Sequence, residues 1–162
     1  MLLEGDIILQ RDKLSLQPIT WLATIIRLAT GCRYNHAMII TCSHNQLFVN
    51  ESNGKGVIKR PVHFAYKKNC ELLVLRKQNV AKDFSSIADS YLGIKYDYKA
   101  LFDQLWYRIT GSKRWTGNTY NHSLKRLYCT EYAALVHGLD KHHLYTCKEF
   151  YNSDLFTHEK LQ

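Results

Sequence analysis

No long uninterrupted apolar run occurs in this sequence. Its most hydrophobic helical stretch, Trp21 to Ile26, is cut by Arg27, far short of the roughly 20 residues that a membrane span requires, so a soluble protein is expected. A secretory leader is also missing: the opening Met1-Leu2-Leu3-Glu4-Gly5-Asp6 puts acids where a basic start and a long apolar core belong. A cytoplasmic location is the expectation. The five cysteines, Cys32, Cys42, Cys70, Cys129 and Cys147, are odd in number, unevenly spaced and set mostly in apolar runs, which speaks against a disulfide framework. His142-His143 with Cys147, and Cys42 with His44, come nearest to a metal pattern. Neither supplies four ligands at structural-site spacing, so no obligate metal and no cofactor is expected. Internal repeats and low-complexity segments are absent too. Acids are scarce, 14 against 22 Lys and Arg, which leaves a formal charge of +8. Such an excess favours an anionic surface or ligand as partner, yet the basic residues are scattered, with loose clusters only at Lys67-Lys68, Lys113-Arg114 and Lys125-Arg126. Scattered charge is the pattern of a solvated surface.

What is present suits one domain spanning residues 1–162, long enough to bury a core without staples. Gly5 to Arg11 reads as a short buried strand. Pro18 stands at a first helical position, followed by an apolar stripe of Ile19, Leu22, Ile25, Ile26 and Ala29 that ends at Gly31 and should pack on the sheet. Val57 to Arg60 continues a meander, Pro61 starts a short helix, and Glu71 to Arg76 is another buried strand. A helix is expected from about Val80, capped by Asn79, with Gly93 beyond its end. Leu101, Phe102, Leu105, Trp106 and Ile109 mark a further amphipathic helix closing near Gly111. Asp83 and Asp103 read as surface acids on these helices. From Gly111 to Lys125 the sequence has no period and reads as a polar loop, longer than most connections. The mixture of Lys113, Arg114, Trp115, Tyr120, His122, Lys125 and Arg126 could contact phosphate or single strands. A solvated loop beside the site explains it more simply, and nucleic acid is disfavoured as a partner. Beyond Asp140 the tail is mixed, with one capped turn over Asn152 to Phe156.

The chain centres on Leu127 to Leu139, where Cys129 opens an apolar helix carrying Tyr132, Leu135, Val136 and Leu139 at helical spacing before Gly138. A thiol there meets the positive end of the helix dipole and the unpaired amides of the first turn, which favour thiolate over thiol. A lone cysteine is more often a small buried packing group, so the nucleophile reading needs a histidine brought to it by the fold. Such a histidine exists in a hairpin. Tyr34 to Cys42 and Leu47 to Ser52 are rich in strand formers and flank Ser43-His44-Asn45-Gln46. A turn centred between His44 and Asn45 pairs Cys42 with Leu47 and sets His36 on the diagonal from Glu51. A shift of two residues makes them direct opposites. In both registers they share a face with Met38, Ile40, Leu47 and Val49, so an imidazole and a carboxylate lie at the edge of an apolar surface. In a Cys-His-carboxylate relay Cys129 attacks a carbonyl carbon, His36 takes and returns the proton, and Glu51 orients the imidazole. A structural His-Glu pair is the competing explanation.

Five segments in order, Gly5-Asp6-Ile7-Ile8, Asn35-His36-Ala37-Met38-Ile39, Glu51-Ser52 with Gly56-Val57, Gly93-Ile94-Lys95-Tyr96-Asp97-Tyr98, and Tyr128-Cys129-Thr130-Glu131, resemble the circularly permuted NlpC-type cysteine amidases of the YaeF/YiiX group. Ala37 without a following glycine and Thr130 in place of serine depart from the family pattern. The resemblance implies an α+β, papain-like fold with an antiparallel sheet packed against helices, and the histidine and glutamate ahead of the cysteine. It implies Cys129 as nucleophile, His36 as base and Glu51 as third member. Tyr96, Tyr128 and Tyr34 follow as substrate-contacting residues, and the Cys129 amide as part of an oxyanion hole. The function expected is a cysteine hydrolase (amidase or peptidase) of amide bonds in a small peptide-like or lipid-like substrate, acting through a thioester acyl-enzyme. A thiol acyltransferase on lipids and a basic, non-catalytic module binding nucleic acid or acidic membrane are the alternatives.

Overall fold

The computed structural model describes residues 1–12, 18–66, 70–78, 82–111 and 124–161, with the side chains of 18–23 and 104 outside that description. It is an α+β structure. Six strands, β1 (Ile7–Asp12), β2 (His36–Ser43), β3 (Gln46–Asn53), β4 (Gly56–Pro61), β5 (Cys70–Lys77) and β8 (Phe156–Lys160), form one antiparallel sheet in the order β4-β3-β2-β1-β5-β8. A separate parallel pair joins β6 (Lys95–Tyr96) to β7 (Arg126–Leu127). The helices are α1 (Pro18–Thr30), α2 (Phe84–Asp89), α3 (Tyr98–Thr110), α4 (Cys129–Val136) and α5 (Cys147–Tyr151). Among the described residues no helix is long and apolar enough to cross a membrane.

β1 is an unbroken apolar run because it lies in the middle of the sheet, where Ile7, Ile8 and Leu9 are all fully buried. Alternate residues serve opposite faces. Ile7, Leu9, Ala37, Ile39, Leu73 and Leu75 meet α2, α4 and α5 in the larger core, through Phe84, Ala88, Tyr132, Val136 and Phe150. Ile8, Met38, Ile40, Val49 and Val74 form a smaller cluster on the other face, covered by Ala65 of the 3-10 turn Val62–Ala65 and by Leu2.

The β2–β3 hairpin takes the register with Cys42 opposite Leu47. Its two turn residues, His44 (φ 49°) and Asn45 (φ 59°), both lie in the left-handed region, which a two-residue hairpin turn demands. Gly56 is required by contact: a Cβ there would come within 2.4 Å of the Ile94 carbonyl oxygen, at φ +105°. That close approach lets Val57 N–H donate to Ile94 O (2.8 Å) and brings the strand leading into Tyr96 against β4.

Several elements differ from expectation. α1 packs chiefly on α3 rather than on the sheet, and Ile25 is exposed; Ile19 lies outside the described residues and the Leu22 side chain outside the description. α2 begins at Phe84, capped by the Asp83 carboxylate, which accepts from Ser86 N–H, so Asp83 is a cap, and Asn79 lies outside the described residues. In α3, Leu101 and Leu105 are buried but Phe102, Trp106 and Ile109 are 57, 55 and 66% exposed. The apolar arc of this helix is wider than the surface it packs against, and periodicity marks only which residues share a face. Asp103 is buried. Of the stretch from Gly111 to Lys125 expected as a polar loop, residues 112–123 lie outside the described residues. The tail holds the expected capped turn, where Leu155 N–H donates to Ser153 Oγ (3.3 Å) and Phe156 N–H to Ser153 O (3.3 Å), and three further elements that were not expected: a 3-10 turn over His142–Leu144, α5, opened by a capping box of Thr146 and Glu149, and edge strand β8.

Candidate functional site

His36 opens β2 at the end of the sheet, and Glu51 lies two strand positions before the end of β3. Their side chains meet, with His36 Nε2 2.6 Å from Glu51 Oε2. Glu51 is almost fully buried, and its other oxygen, Oε1, accepts from Asn53 Nδ2 (3.2 Å) and from the Arg60 guanidinium. Arg60 thus neutralises a carboxylate that burial alone would oppose. β4 supplies it by register: Val49 faces Arg60 and Glu51 faces Ile58, so Arg60 is the diagonal neighbour of Glu51.

Cys129 arrives from the opposite face as the first residue of α4. Three ties hold that helix. Ser52 Oγ, next to Glu51, donates to Leu127 O (2.6 Å), Thr130 Oγ1 donates to Tyr145 O (2.6 Å), and Tyr132 Oη donates to Ala88 O (3.2 Å). No side chain caps α4 at Tyr128, so its first-turn amides stay available for another acceptor. The thiol uses one of them, that of Thr130, together with the Ala37 amide of β2. Burial works against ionisation of Cys129, yet the His36 charge, a hydrogen bond with that ring, and the amides of Ala37 and Thr130 hold its pKa below the usual 9.0. Close backbone approach beside the histidine is thus made with alanine at 37. Burial also opposes charge on His36, but the Cys129 thiolate and the hydrogen bonds to Cys129 and Glu51 raise its pKa to about 10. Both shifts favour the thiolate–imidazolium pair over the neutral one.

The three tyrosines all line this region. Tyr96 borders both a cleft of about 260 Å³ that contains His36, Glu51 and Arg60 and a smaller apolar chamber of about 30 Å³ that contains Cys129. Burial, then the nearby Cys129 charge, pushes its phenol pKa well above 10, so it faces the sulfur as a proton donor. Tyr34 and Tyr128 are buried and line the chamber only. Cys147 lines it too, yet burial and the Cys129 charge push its thiol up, opposite to Cys129. None of the five cysteines forms a disulfide.

Sequence reasoning missed Arg60, Asp97 and Glu131. Asp97 caps α3 by accepting from Ala100 N–H (2.9 Å). Glu131, in the first turn of α4, is buried, and its pKa is raised to about 8 by desolvation, against a backbone hydrogen bond at Tyr128, with Asp97 adding to the rise. A carboxyl whose folded pKa lies above its unfolded 4.5 favours folding most at low pH, and that contribution declines as pH rises from about 4.5 to about 8. Glu131→Gln is therefore expected to flatten the pH dependence of stability across that window, read by urea denaturation at pH 5 and pH 8.5. An unchanged slope would mean that Glu131 does not titrate there.

No family model matches the chain, and no curated protein does. Among solved structures it is similar to metalloprotein YiiX from Escherichia coli O157:H7, described as DUF1105, at 16% identity and a TM-score of 0.59, covering 96% of this chain and 95% of that one. The chain has a YiiX-like fold.

Proposed function

We propose that this protein is a thiol-dependent acyl hydrolase of the permuted papain type, cleaving an amide or ester through a Cys129 thioester. One observation carries the reading: a single imidazole, His36, lies 2.6 Å from a buried carboxylate and within hydrogen-bonding reach of a thiol at a helix N-terminus. A structural His-Glu pair would not need the sulfur. In the proposed cycle the Cys129 thiolate attacks the carbonyl carbon, and first-turn amides of α4, including that of Cys129, receive the oxyanion. His36 protonates the departing nitrogen or oxygen, then removes a proton from the water that cleaves the thioester. Glu51, held by Arg60 and Asn53, keeps the ring oriented and its charge balanced.

The YiiX neighbour is a metalloprotein. The residues here do not fit a metal at this site. Both Glu51 oxygens are already engaged, one of them by a guanidinium that opposes a second cation, and among the described residues no group of three or more His, Cys, Asp and Glu is placed to hold one. No step of the proposal runs through a metal.

Iodoacetamide is expected to label Cys129 at pH 7 at least tenfold faster than the other four cysteines, as read by peptide mass spectrometry, because only a thiolate reacts appreciably. His36→Ala should remove the preference. Equal labelling of all five cysteines in the unsubstituted protein would overturn the reading.

A further inference from the structure

The cleft and the chamber share four wall residues, Ile26, Asn35, Tyr96 and Leu101, so they are two lobes of one depression. Their chemistry differs. The open lobe carries Asp12, His36, Asn53 and Arg60, whereas the enclosed lobe is faced by Ile26, Tyr34, Leu101, Leu105, Tyr128 and Cys147 around Cys129. The threonines and the asparagine of the enclosed lobe are already committed, which leaves the tyrosine hydroxyls as its remaining polar groups. Thr30 Oγ1 donates to Ile26 O (2.7 Å), Thr130 Oγ1 to Tyr145 O, Thr146 Oγ1 to Glu149, and Asn35 is tied to Asp12 through both ends of its amide. A polar acyl group entering there would lose its water without finding these donors. The enclosed lobe measures about 30 Å³, where one water-sized sphere takes roughly 10–15 Å³.

Resting on the acyl-hydrolase reading, we infer that the enclosed lobe is the acyl site and that it selects a short apolar acyl group over a long one, while the open lobe receives the polar leaving portion. The scissile bond then spans the two lobes. Its carbonyl carbon sits at Cys129 and its leaving atom at His36. The C–S bond forms as the bond to the leaving atom breaks, that atom takes the His36 proton, and water returns the thiol and releases a short carboxylic acid. A long chain does not fit without displacing Leu101 or Leu105, both buried.

The test uses the full chain with the p-nitrophenyl esters of acetate, butyrate and octanoate, following p-nitrophenolate release and acyl-Cys129 by intact mass, with rates divided by those of free cysteine. Acetate or butyrate is expected to outrun octanoate by at least tenfold, since each methylene that a pocket rejects is worth about 10-fold or more. Leu105→Ala and, separately, Leu101→Ala should each raise the octanoate-to-butyrate ratio by about tenfold. Octanoate reacting as fast as butyrate in the unsubstituted protein, or a ratio unmoved in both variants, would overturn the short-acyl assignment while leaving the hydrolase reading intact. Iodoacetamide labelling of Cys129 with no acylation by any ester would instead bring down the hydrolase reading and this inference with it.

Discussion

Cys129→Ser is expected to lower ester or amide turnover by about 10⁴-fold or more while the protein stays folded. The surroundings of the thiol favour its charged form. His36 and the amides of Ala37 and Thr130 outweigh the burial that opposes ionisation. A serine hydroxyl lies far above any pKa those groups could bring to neutrality, so the imidazolium partner loses its anion and the nucleophile must be generated in each turnover. The side chain is nearly isosteric, and the change in stability should stay below about 1.5 kcal/mol. Turnover measured beside the thermal midpoint separates the two effects, and a variant that keeps a tenth of the activity would refute the role of the sulfur. The unsubstituted protein offers a second reading of the same state. Turnover should rise as Cys129 ionises, below the ordinary thiol value of 9.0, and fall as His36 loses its proton near pH 10. Alkylation should not fall on that alkaline side, because the thiolate persists where the proton donor is gone.

Glu51→Gln should cost about 10³- to 10⁴-fold in turnover and about 3 kcal/mol in stability. The carboxylate balances Arg60 and the His36 imidazolium at once, and a carboxamide balances neither. Arg60 would remain beside the ring with its charge unmet, so the His36 pKa drops from about 10 and the alkaline limb of turnover moves to lower pH. The sign for stability follows from the same shift. A histidine whose folded pKa exceeds its unfolded 6.5 stabilises the fold fully below that value and loses the contribution as pH rises to about 10. Denaturation at pH 6 and pH 10 should show a smaller difference in Glu51→Gln than in the unsubstituted protein. An alkaline limb that does not move would mean that Glu51 leaves the imidazole unaffected.

The hairpin was the most legible part of the sequence, since a two-residue turn and a period of two place His36 and Glu51 on one face whichever register is chosen. Gly31, Gly111 and Gly138 mark helix ends and take φ of 62°, 69° and 64°. The face itself was harder to judge. His36 shares its parity with Met38 and Ile40 of the smaller cluster, while α4 covers Ala37 and Ile39 on the opposite side. Only the position of His36 at the end of β2 lets one ring meet Glu51 and Cys129 together. Arg60 could have been found by carrying the hairpin register one strand further, since Val57 to Arg60 already reads as the next strand of the meander. β8 escaped because four of its five residues are exposed, which leaves no apolar alternation to detect. α5 is one turn long, yet Thr146 and Glu149 spell a capping box.

The placement of β8 has a bearing on how the molecule is assembled in time. β5 gains its outer neighbour only when Thr157 reaches Arg76, 81 residues further along, a stretch that a ribosome takes on the order of ten seconds to make. Throughout that interval the nascent sheet ends in an open row of amides and carbonyls, guarded mainly by the charges of Arg76 and Lys77 on the same strand. A chain halted before Phe156 would keep that border bare and be prone to pair with its own kind.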